Sequence, residues 1–349
     1  MHPELKKTKS KPKKSIADHK NANDEFSEKY PEQSTEKIHD QRDHLNYTGV
    51  RSAGKRTILD GFMGKVVKVM TIFSLLLLVL IIAGLVLKSI PVLQNNPLSQ
   101  LLFSSEWSPF KGIFGFLPFI LSTVYVTVIA AVIAIPLSIL TAIYLSEYAG
   151  KRFLNFAAPM LDILAGIPSV IYGIWGVLVV VPFIRNDVSK WFGVDDASGY
   201  SILAGGIVLA VMVFPVVVQI VYEVLKIVPK DLRDATLSLG ANKWETIKKV
   251  VLKKASPGIL AACILGFSRA FGETIAVLMV VGNVVQIPKG VFSEGYPIPS
   301  LIANNYGEMM SIPMYDSALM FAALLLLVII LGFNIYARYI LNRIEKKIA

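Results

Sequence analysis

Six long apolar segments divide this sequence, and they decide the solvent in which it folds. A helix of about 20 mostly apolar residues crosses a bilayer, and in lipid an isolated segment satisfies its backbone hydrogen bonds only as a helix. The segments run over residues 66–87, 118–145, 157–184, 202–225, 257–282 and 317–341. The hydrophobic share of 54% exceeds that of ordinary soluble domains. The sequence therefore predicts an all-α membrane protein with six transmembrane helices.

The first 60 residues have a different composition. They carry 13 Lys or Arg and 10 Asp or Glu and contain no apolar run, so they cannot offset the entropy of ordering by burial. We predict a disordered tail over residues 1–60 and a transmembrane domain over residues 61–349. The histidines all lie in the tail, at positions 2, 19, 39 and 44. The membrane domain is therefore expected to contain no histidine-based metal site or catalytic triad.

Basic residues are distributed unequally between the two sides of the predicted membrane domain. From residue 61 onward, 16 Lys or Arg fall on the side of the tail, five on the other side, and one, Arg269, within a span. Lys and Arg concentrate in cytoplasmic loops of membrane proteins. We therefore predict a multi-pass protein of the cell membrane with both termini in the cytoplasm.

The loop between the fourth and fifth segments, residues 226–256, is unusually long. Pro229 is suited to the start of a helix and Gly240 to its C-terminal cap, while Asn242 and Glu245 predict a capping box for a second helix. Each helix would carry an apolar face: Leu232, Ala235 and Leu239 in the first, Trp244, Ile247 and Val251 in the second. Such helices can lie on anionic lipid headgroups or receive a cytoplasmic partner, and the pattern leaves both alternatives open.

The loop sequence Asp234-Ala235-Thr236, followed by Gly240 after three residues, resembles the EAA loop of ABC-importer permeases. The resemblance departs at Asp234, where glutamate is usual, and at Lys253, where proline is common. It implies a coupling loop that docks on an ATPase subunit. The docking residues it implies are Asp234, Ala235, Leu239, Gly240, Ala241, Trp244 and Ile247.

Two further stretches, LAGIPSVIYGIWG at 164–176 and ILGFSRAFGETIAVLMVVGN at 264–283, are similar to permease subunits of phosphate ABC importers of the PstC type. The sister PstA type generally has alanine-proline after the Gly-Glu-Thr, where this chain has Ile275-Ala276-Val277. The resemblance covers about residues 62–345 and implies a type I, MetI-like permease bundle. It also implies three partners: a second, PstA-like permease subunit, an ATPase subunit dimer and an extracytoplasmic phosphate-binding protein.

The chain lacks the phosphate-binding motif G-x-x-x-x-G-K-[ST] of ATPases. We therefore expect this chain to bind no cofactor, with ATP and Mg bound by the partner subunit. Besides these protein partners we expect membrane lipid and no nucleic acid. The segment GNVVQIPKGVFSEGYPIPSLIANNYGEM after the fifth span is long and rich in Pro and Gly, so it is a candidate docking surface for the binding protein or a re-entrant gate.

Arg269 and Glu273 place two charges within the fifth apolar segment. On one helix they would share a face at i and i+4 and could pair. A buried ion pair is often no more stabilising than apolar residues of the same volume, which favours function over a purely structural bridge. We predict that both residues line the substrate pathway, with Glu273 holding Arg269 at rest and phosphate transiently replacing it. The resemblance assigns them the same role.

The third predicted span contains Gly166, Pro168, Gly173 and Gly176. These residues permit a helix break and close helix packing, or they line a pathway. For the whole chain, three functional classes remain: an ATP-driven permease for phosphate or another oxyanion, an ATPase-independent secondary anion transporter, and an intramembrane enzyme. No pairing of nucleophile and base or metal cluster supports the last of these.

Overall fold

The computed structural model describes residues 33–348 apart from residues 195, 309–311 and 313. Of these described residues, those up to Val79 form one unit and those from Leu80 onward form a second. The first 32 residues of the predicted disordered tail lie outside the described residues.

Helix α1 runs from Gln33 to Asn95 and so includes residues 33–60, the described part of the tail, while the disorder itself stays a prediction. Pro31 precedes this helix and the next proline is Pro91, which leaves a long stretch without a residue that breaks helices. Adding residues to an existing helix is much easier than forming a new nucleus. The apolar part of α1 can therefore extend the helix backward into a polar sequence that would not form one alone.

The remaining elements follow in a simple order. The helices are α2 (Leu98–Phe103), α3 (Leu117–Ile143), α4 (Lys151–Gly166), α5 (Ser169–Trp175), α6 (Val181–Phe183), α7 (Ser189–Trp191), α8 (Ile202–Ile227), α9 (Lys230–Ser238), α10 (Lys243–Thr246), α11 (Leu252–Gly272), α12 (Ile275–Val280), α13 (Ile298–Asn305) and α14 (Tyr315–Ile348). Strands β1 (Trp107–Ser108) and β2 (Ile113–Phe114) form an antiparallel hairpin. Turns of π-helix extend or join helices at Tyr144–Tyr148, Gly176–Val180, Ile184–Val188 and Ile247–Val251.

Six helical stretches of the described chain are long and apolar enough to cross a membrane. They are Phe62–Asn95, Leu117–Tyr148, Ser169–Trp191, Ile202–Ile227, Lys243–Gly272 and Tyr315–Ile344. This number confirms the six spans predicted from hydropathy. The structure differs in where the third and fifth of them begin and end.

The third predicted span, 157–184, is interrupted. Helix α4 ends at Gly166, Ile167 and Pro168 have extended backbone, and α5 begins at Ser169. Proline disfavours helical backbone in the residue before it, which explains the break at Ile167. The membrane crossing therefore starts at Ser169, and α4 is a separate amphipathic helix without a buried residue.

Helix α8 lies at the centre of the main hydrophobic core, which also includes residues of α3, α5, α11 and α12. Fourteen of its residues are buried. Close approach to α3 depends on Gly206, because a Cβ there would overlap the side chain of Ile129. Similarly, a Cβ at Gly266 of α11 would overlap Val217 of α8. Small residues at such contacts are a common way to pack membrane helices.

A second core is built from aromatic side chains around Trp107 of β1. The Trp107 ring lies 4.8 Å from that of Phe119 and 5.3 Å from that of Phe116, both edge to face, an arrangement that aromatic pairs favour. Tyr315 at the start of α14 and Leu301 of α13 belong to the same cluster. This core therefore joins the hairpin to α3, α13 and α14.

Candidate transport site and coupling loop

The fifth span is broken beside its charged residues. Helix α11 ends at Gly272, Glu273 has extended backbone with φ −71° and ψ 129°, and α12 begins at Ile275. Arg269 lies in the last turn of α11. The expectation that Arg269 and Glu273 share one helix face is therefore wrong. The sequence Gly272-Glu273-Thr274 contains no proline, so hydropathy and proline content gave no sign of this break.

Arg269 and Glu273 are also not paired. Among the residues whose side chains the structure describes, the ion pairs with N···O distances within 4.0 Å are Lys88–Asp316, Arg233–Glu147 and Lys249–Glu245. Arg269 has a different electrostatic partner in its own helix: a positive charge in the last turn interacts favourably with the negative end of the helix dipole. The resting contact that the sequence predicted is absent from this conformation.

Arg269 is exposed on an open face of α11. Ala261 and Leu265 precede it at intervals of four residues and are exposed as well, so the three lie in one row along the helix. A charged side chain within a membrane span is expensive against lipid, and such residues almost always face a water-filled cavity or another protein segment. The row is therefore a surface for either of these.

The two helix breaks are joined by direct packing of α5 against α12. A Cβ at Gly173 of α5 would overlap Met279 of α12, and Ala276 Cα lies 3.3 Å from the same position. Tyr172, next to Gly173, is buried and donates a hydrogen bond of 2.7 Å to the carbonyl of Leu164 near the first break. Irregular backbone at membrane depth occurs only where protein or a water-filled cavity satisfies it. Here the Tyr172 hydroxyl satisfies one carbonyl.

The glycines of the third span therefore have different surroundings. Gly173 and Gly176 contact neighbouring helices, because a Cβ at Gly176 would lie 2.6 Å from Val208 and 2.7 Å from Val280. Gly166 has open space around its Cβ position. The close helix packing that the sequence predicted thus holds at Gly173 and Gly176, and the break lies just after Gly166.

Polar contacts within the bundle were missed by the sequence analysis. The Ser268 hydroxyl donates to Asn334 Oδ1 of α14 at 2.7 Å, immediately beside Arg269. Gln219 of α8 donates to Asp162 Oδ1 of α4 at 2.7 Å, at a cavity of about 270 Å³. Asn334 and Gln219 each interrupt an apolar segment, and this was the available signal. Their partners are 66 and 57 residues away, beyond the reach of local patterns.

The loop after α8 has the local structure that its sequence predicted. Gly240 has φ +86°, a left-handed conformation that glycine adopts easily, two residues after the end of α9. The Asn242 side chain accepts from the Glu245 amide at 2.8 Å, and the Glu245 carboxylate accepts from the Asn242 amide at 3.2 Å. The predicted capping box is therefore confirmed. Lys253 stands where proline is common in the EAA loop that this sequence resembles. It is exposed in the first turn of α11, and the helix continues through it.

The residues predicted to dock the ATPase divide into two groups. Leu239 and Trp244 are 88% and 51% exposed, and Asp234, Ala235 and Gly240 are exposed too, with Ala241 half-buried. Ile247 is 1% exposed and belongs to the main core. Trp244 and Ile247 thus point in different directions, and the exposed group alone is available to a partner.

The segment after α12 is folded against the bundle. The Ser122 hydroxyl accepts from the Tyr296 amide at 3.1 Å, and the Thr123 hydroxyl accepts from the Ile298 amide at 2.9 Å. The segment is also bonded to α8, where the Leu203 amide donates to the Val291 carbonyl at 2.8 Å. These bonds anchor the segment to α3 and α8, so its outer surface has a fixed shape.

Known proteins resemble this chain over most of its length. Residues 134–346 match the model of the binding-protein-dependent transport system inner membrane component family. The chain is 35% identical to the probable phosphate transport system permease protein PstC of Methanocaldococcus jannaschii, over 80% of this chain and 93% of that protein. It is 33% identical to the phosphate transport system permease protein PstC of Pasteurella multocida, over 79% of this chain and 89% of that protein.

A solved structure of the methionine ABC transporter MetNI in inward-facing conformations matches with a TM-score of 0.48 and 20% identity, over 66% of this chain and 94% of the solved one. The family match and the six membrane helices confirm the predicted fold class, an all-α permease bundle. They identify a multi-pass membrane transporter subunit rather than an enzyme. The chain belongs to the binding-protein-dependent transport system inner membrane component family.

Proposed function

We propose that this chain is the membrane-spanning subunit of an ATP-driven importer that moves inorganic phosphate into the cytoplasm. The named substrate of the relatives in M. jannaschii and P. multocida supports phosphate. The structural observation that carries the proposal is Arg269, a cation exposed at a helix break within a membrane span. Both termini and the loop of α9 and α10 lie in the cytoplasm in this proposal, as the distribution of basic residues supports.

Arginine has the chemistry that a phosphate pathway needs. Its guanidinium stays charged at any relevant pH and offers a planar set of donors that matches two oxygens of an oxyanion. In this conformation no described carboxylate lies within 4.0 Å of it, so an incoming anion meets no competitor. We place Glu273, just beyond the helix end, as the carboxylate that reaches Arg269 when the break rearranges. Such a rearrangement would help to release the anion, since a transported ion must not be held too tightly.

The exposed row on α11 is where we place the second, PstA-like permease subunit. A charged side chain within a span is costly against lipid, and a second subunit on this face would enclose a path between the two chains. Arg269 and Glu273 then face the path from this side. The row of Ala261 and Leu265 supplies the apolar contact below it.

The energy source in this proposal is a dimer of ATPase subunits, which binds ATP and Mg outside this chain. Leu239 and Trp244 offer exposed apolar surface on α9 and α10, and aromatic side chains are typical anchors of protein interfaces. On the opposite side of the membrane, the anchored segment that follows α12 is the surface proposed for an extracytoplasmic phosphate-binding protein.

Reconstitution tests this proposal. The chain, purified with its second permease subunit and ATPase and placed in liposomes with the binding protein, should accumulate radioactive phosphate only when ATP is supplied. Excess sulfate should leave this uptake unchanged, and equal competition by sulfate would replace phosphate by a broader class of oxyanion. Phosphate uptake by this chain alone, without an ATPase subunit, would establish the secondary-transporter alternative.

A further inference from the structure

Arg233 of α9 makes contacts that join three parts of the protein. Its Nη2 lies 2.8 Å from Glu147 Oε1 and also donates to the carbonyl of Leu225 at 3.0 Å, while Nη1 donates to the carbonyl of Val228 at 2.6 Å. Glu147 lies in the π-helical turn that ends α3, and Leu225 and Val228 lie at the end of α8. One side chain thus ties the first helix of the loop to the ends of two spans.

Burial makes this contact different from the Lys249–Glu245 ion pair of the same loop. The side chains of Arg233 and Glu147 are 18% and 9% exposed, whereas those of Lys249 and Glu245 are 69% and 40% exposed. Exposed pairs contribute little, because water and salt screen them. A buried pair is sensitive to the loss of either partner, since the remaining charge has no compensation. The Arg233–Glu147 contact therefore resists separation when α9 moves.

The second helix of the loop reaches the same turn. Lys243 Nζ of α10 lies 4.5 Å from the centre of the Tyr148 ring, which is a cation–π contact. Tyr148 follows Glu147 and is the last residue of the π-helical turn. Helices α9 and α10 therefore both hold the turn Tyr144–Tyr148. Turns of π-helix are frequent at functional sites.

Movement of this turn would reach the proposed transport site through packed helices. Helix α3 packs closely on α8 at Gly206, and α8 packs closely on α11 at Gly266. Gly266 is next to Phe267 in the sequence and three residues before Arg269. Packed interfaces transmit a displacement because they have no free volume to absorb it. The route from Arg233 to Arg269 thus consists of direct contacts.

We propose that the Arg233–Glu147 contact transmits displacement of α9 to α3 and α8, and so couples ATP hydrolysis to opening of the permease. This inference rests on the proposed function, because it requires an ATPase partner on α9. Arg233 and Glu147 are positioning residues here, since neither touches the transported ion. Their role predicts a specific defect, in which ATP hydrolysis continues but transport is lost.

The test measures phosphate transported per ATP hydrolysed by the complete reconstituted complex. Glu147→Gln keeps the shape of the side chain and removes its charge, and Arg233→Lys keeps the charge but loses the fork that spans three acceptors. Each variant should co-purify with the ATPase subunit, hydrolyse ATP, and show a ratio reduced by about tenfold, within the range known for residues of coupling networks. The matched control Lys249→Gln removes the exposed pair of the same loop and should keep the original ratio.

Three outcomes would overturn the inference. An unchanged ratio in Glu147→Gln would show that the contact transmits nothing. Failure of Glu147→Gln to assemble, with Glu147→Asp assembling normally, would give the pair a role in holding the loop in place instead. A reduced ratio in Lys249→Gln as well would remove the specificity of the buried pair. Failure of the unmodified complex to link phosphate uptake to ATP would instead reject the proposed function.

Discussion

Glu273 lies just beyond the last turn of the helix that carries Arg269, and the two side chains do not form an ion pair. Four residues separate them in sequence, yet the end of α11 at Gly272 removes the shared helix face that this spacing would give. The arginine is left exposed at a helix end, with the carboxylate on the extended segment that leads to α12. The site is thus a cation beside a hinge rather than a closed ion pair.

Arg269→Ala should abolish most phosphate uptake without loss of assembly. A hydrogen bond to a charged group contributes about 1.5–3 kcal/mol, so removal of the guanidinium should lower uptake by about ten- to a hundredfold. The measurement is ATP-dependent uptake by the reconstituted complex, with co-purification of the ATPase subunit as the check on assembly. Leu137→Ala, at a leucine of α3 that is 53% exposed and lies outside the exposed row on α11, is the control and should transport normally. Normal uptake in Arg269→Ala would exclude Arg269 from the pathway.

Arg269 and Glu273 should behave independently in a double-mutant cycle on stability. Residues in direct contact show coupling free energies of about 0.5–3 kcal/mol, whereas separated residues add within about 0.5 kcal/mol. Because the two side chains are not paired, the changes in melting temperature of the permease with Arg269→Ala and with Glu273→Gln should add in the double variant. A clear departure from additivity would show that a closed pair dominates in the membrane, as the sequence spacing predicted.

The features that sequence could predict are those that neighbouring residues determine. Hydropathy gave six spans because each one must match the thickness of a bilayer. The cap at Gly240 and the Asn242–Glu245 box were predictable because their hydrogen bonds close within three residues. The helix over the polar residues from Gln33 to Asp60 follows no local pattern, since it continues from an apolar segment that comes later in the chain.

The features that sequence missed depend on contacts between distant residues. Glu147 and Arg233 are 86 residues apart, and neither belongs to a pattern of its own segment. The break after Gly272 follows no proline, and α12 packs there against α5, which lies about a hundred residues earlier. Arg269 and Glu273 could be selected from sequence because charge is rare in a span, but the relation between them needed the fold.

Gly240→Ala should weaken binding of the ATPase subunit through the backbone alone. Nothing lies within 4 Å of the Cβ position at Gly240, so the methyl group meets no neighbour, but φ is +86°. A non-glycine residue in left-handed conformation costs about 1 kcal/mol or more, which corresponds to roughly fivefold weaker binding if α9 and α10 shift to relieve it. Gly290→Ala is the control, since its Cβ position is also open and its φ is not positive. Equal affinity of both variants, measured with purified ATPase subunit, would contradict the prediction.

Trp244→Ala should lower the affinity for the ATPase subunit more than Gly240→Ala does. The Trp244 side chain is half exposed on α10. Tryptophan anchors that become buried in an interface contribute about 2 kcal/mol or more. Affinity for the ATPase subunit should therefore fall by about thirtyfold, with thermal stability of the permease unchanged because Trp244 is not part of either core. Trp191→Ala replaces another exposed tryptophan, 74% accessible and in a different part of the chain, and should bind the ATPase normally. If the two variants bind alike, the loop docks through other residues or lies on the lipid surface, the alternative that its lysines left open.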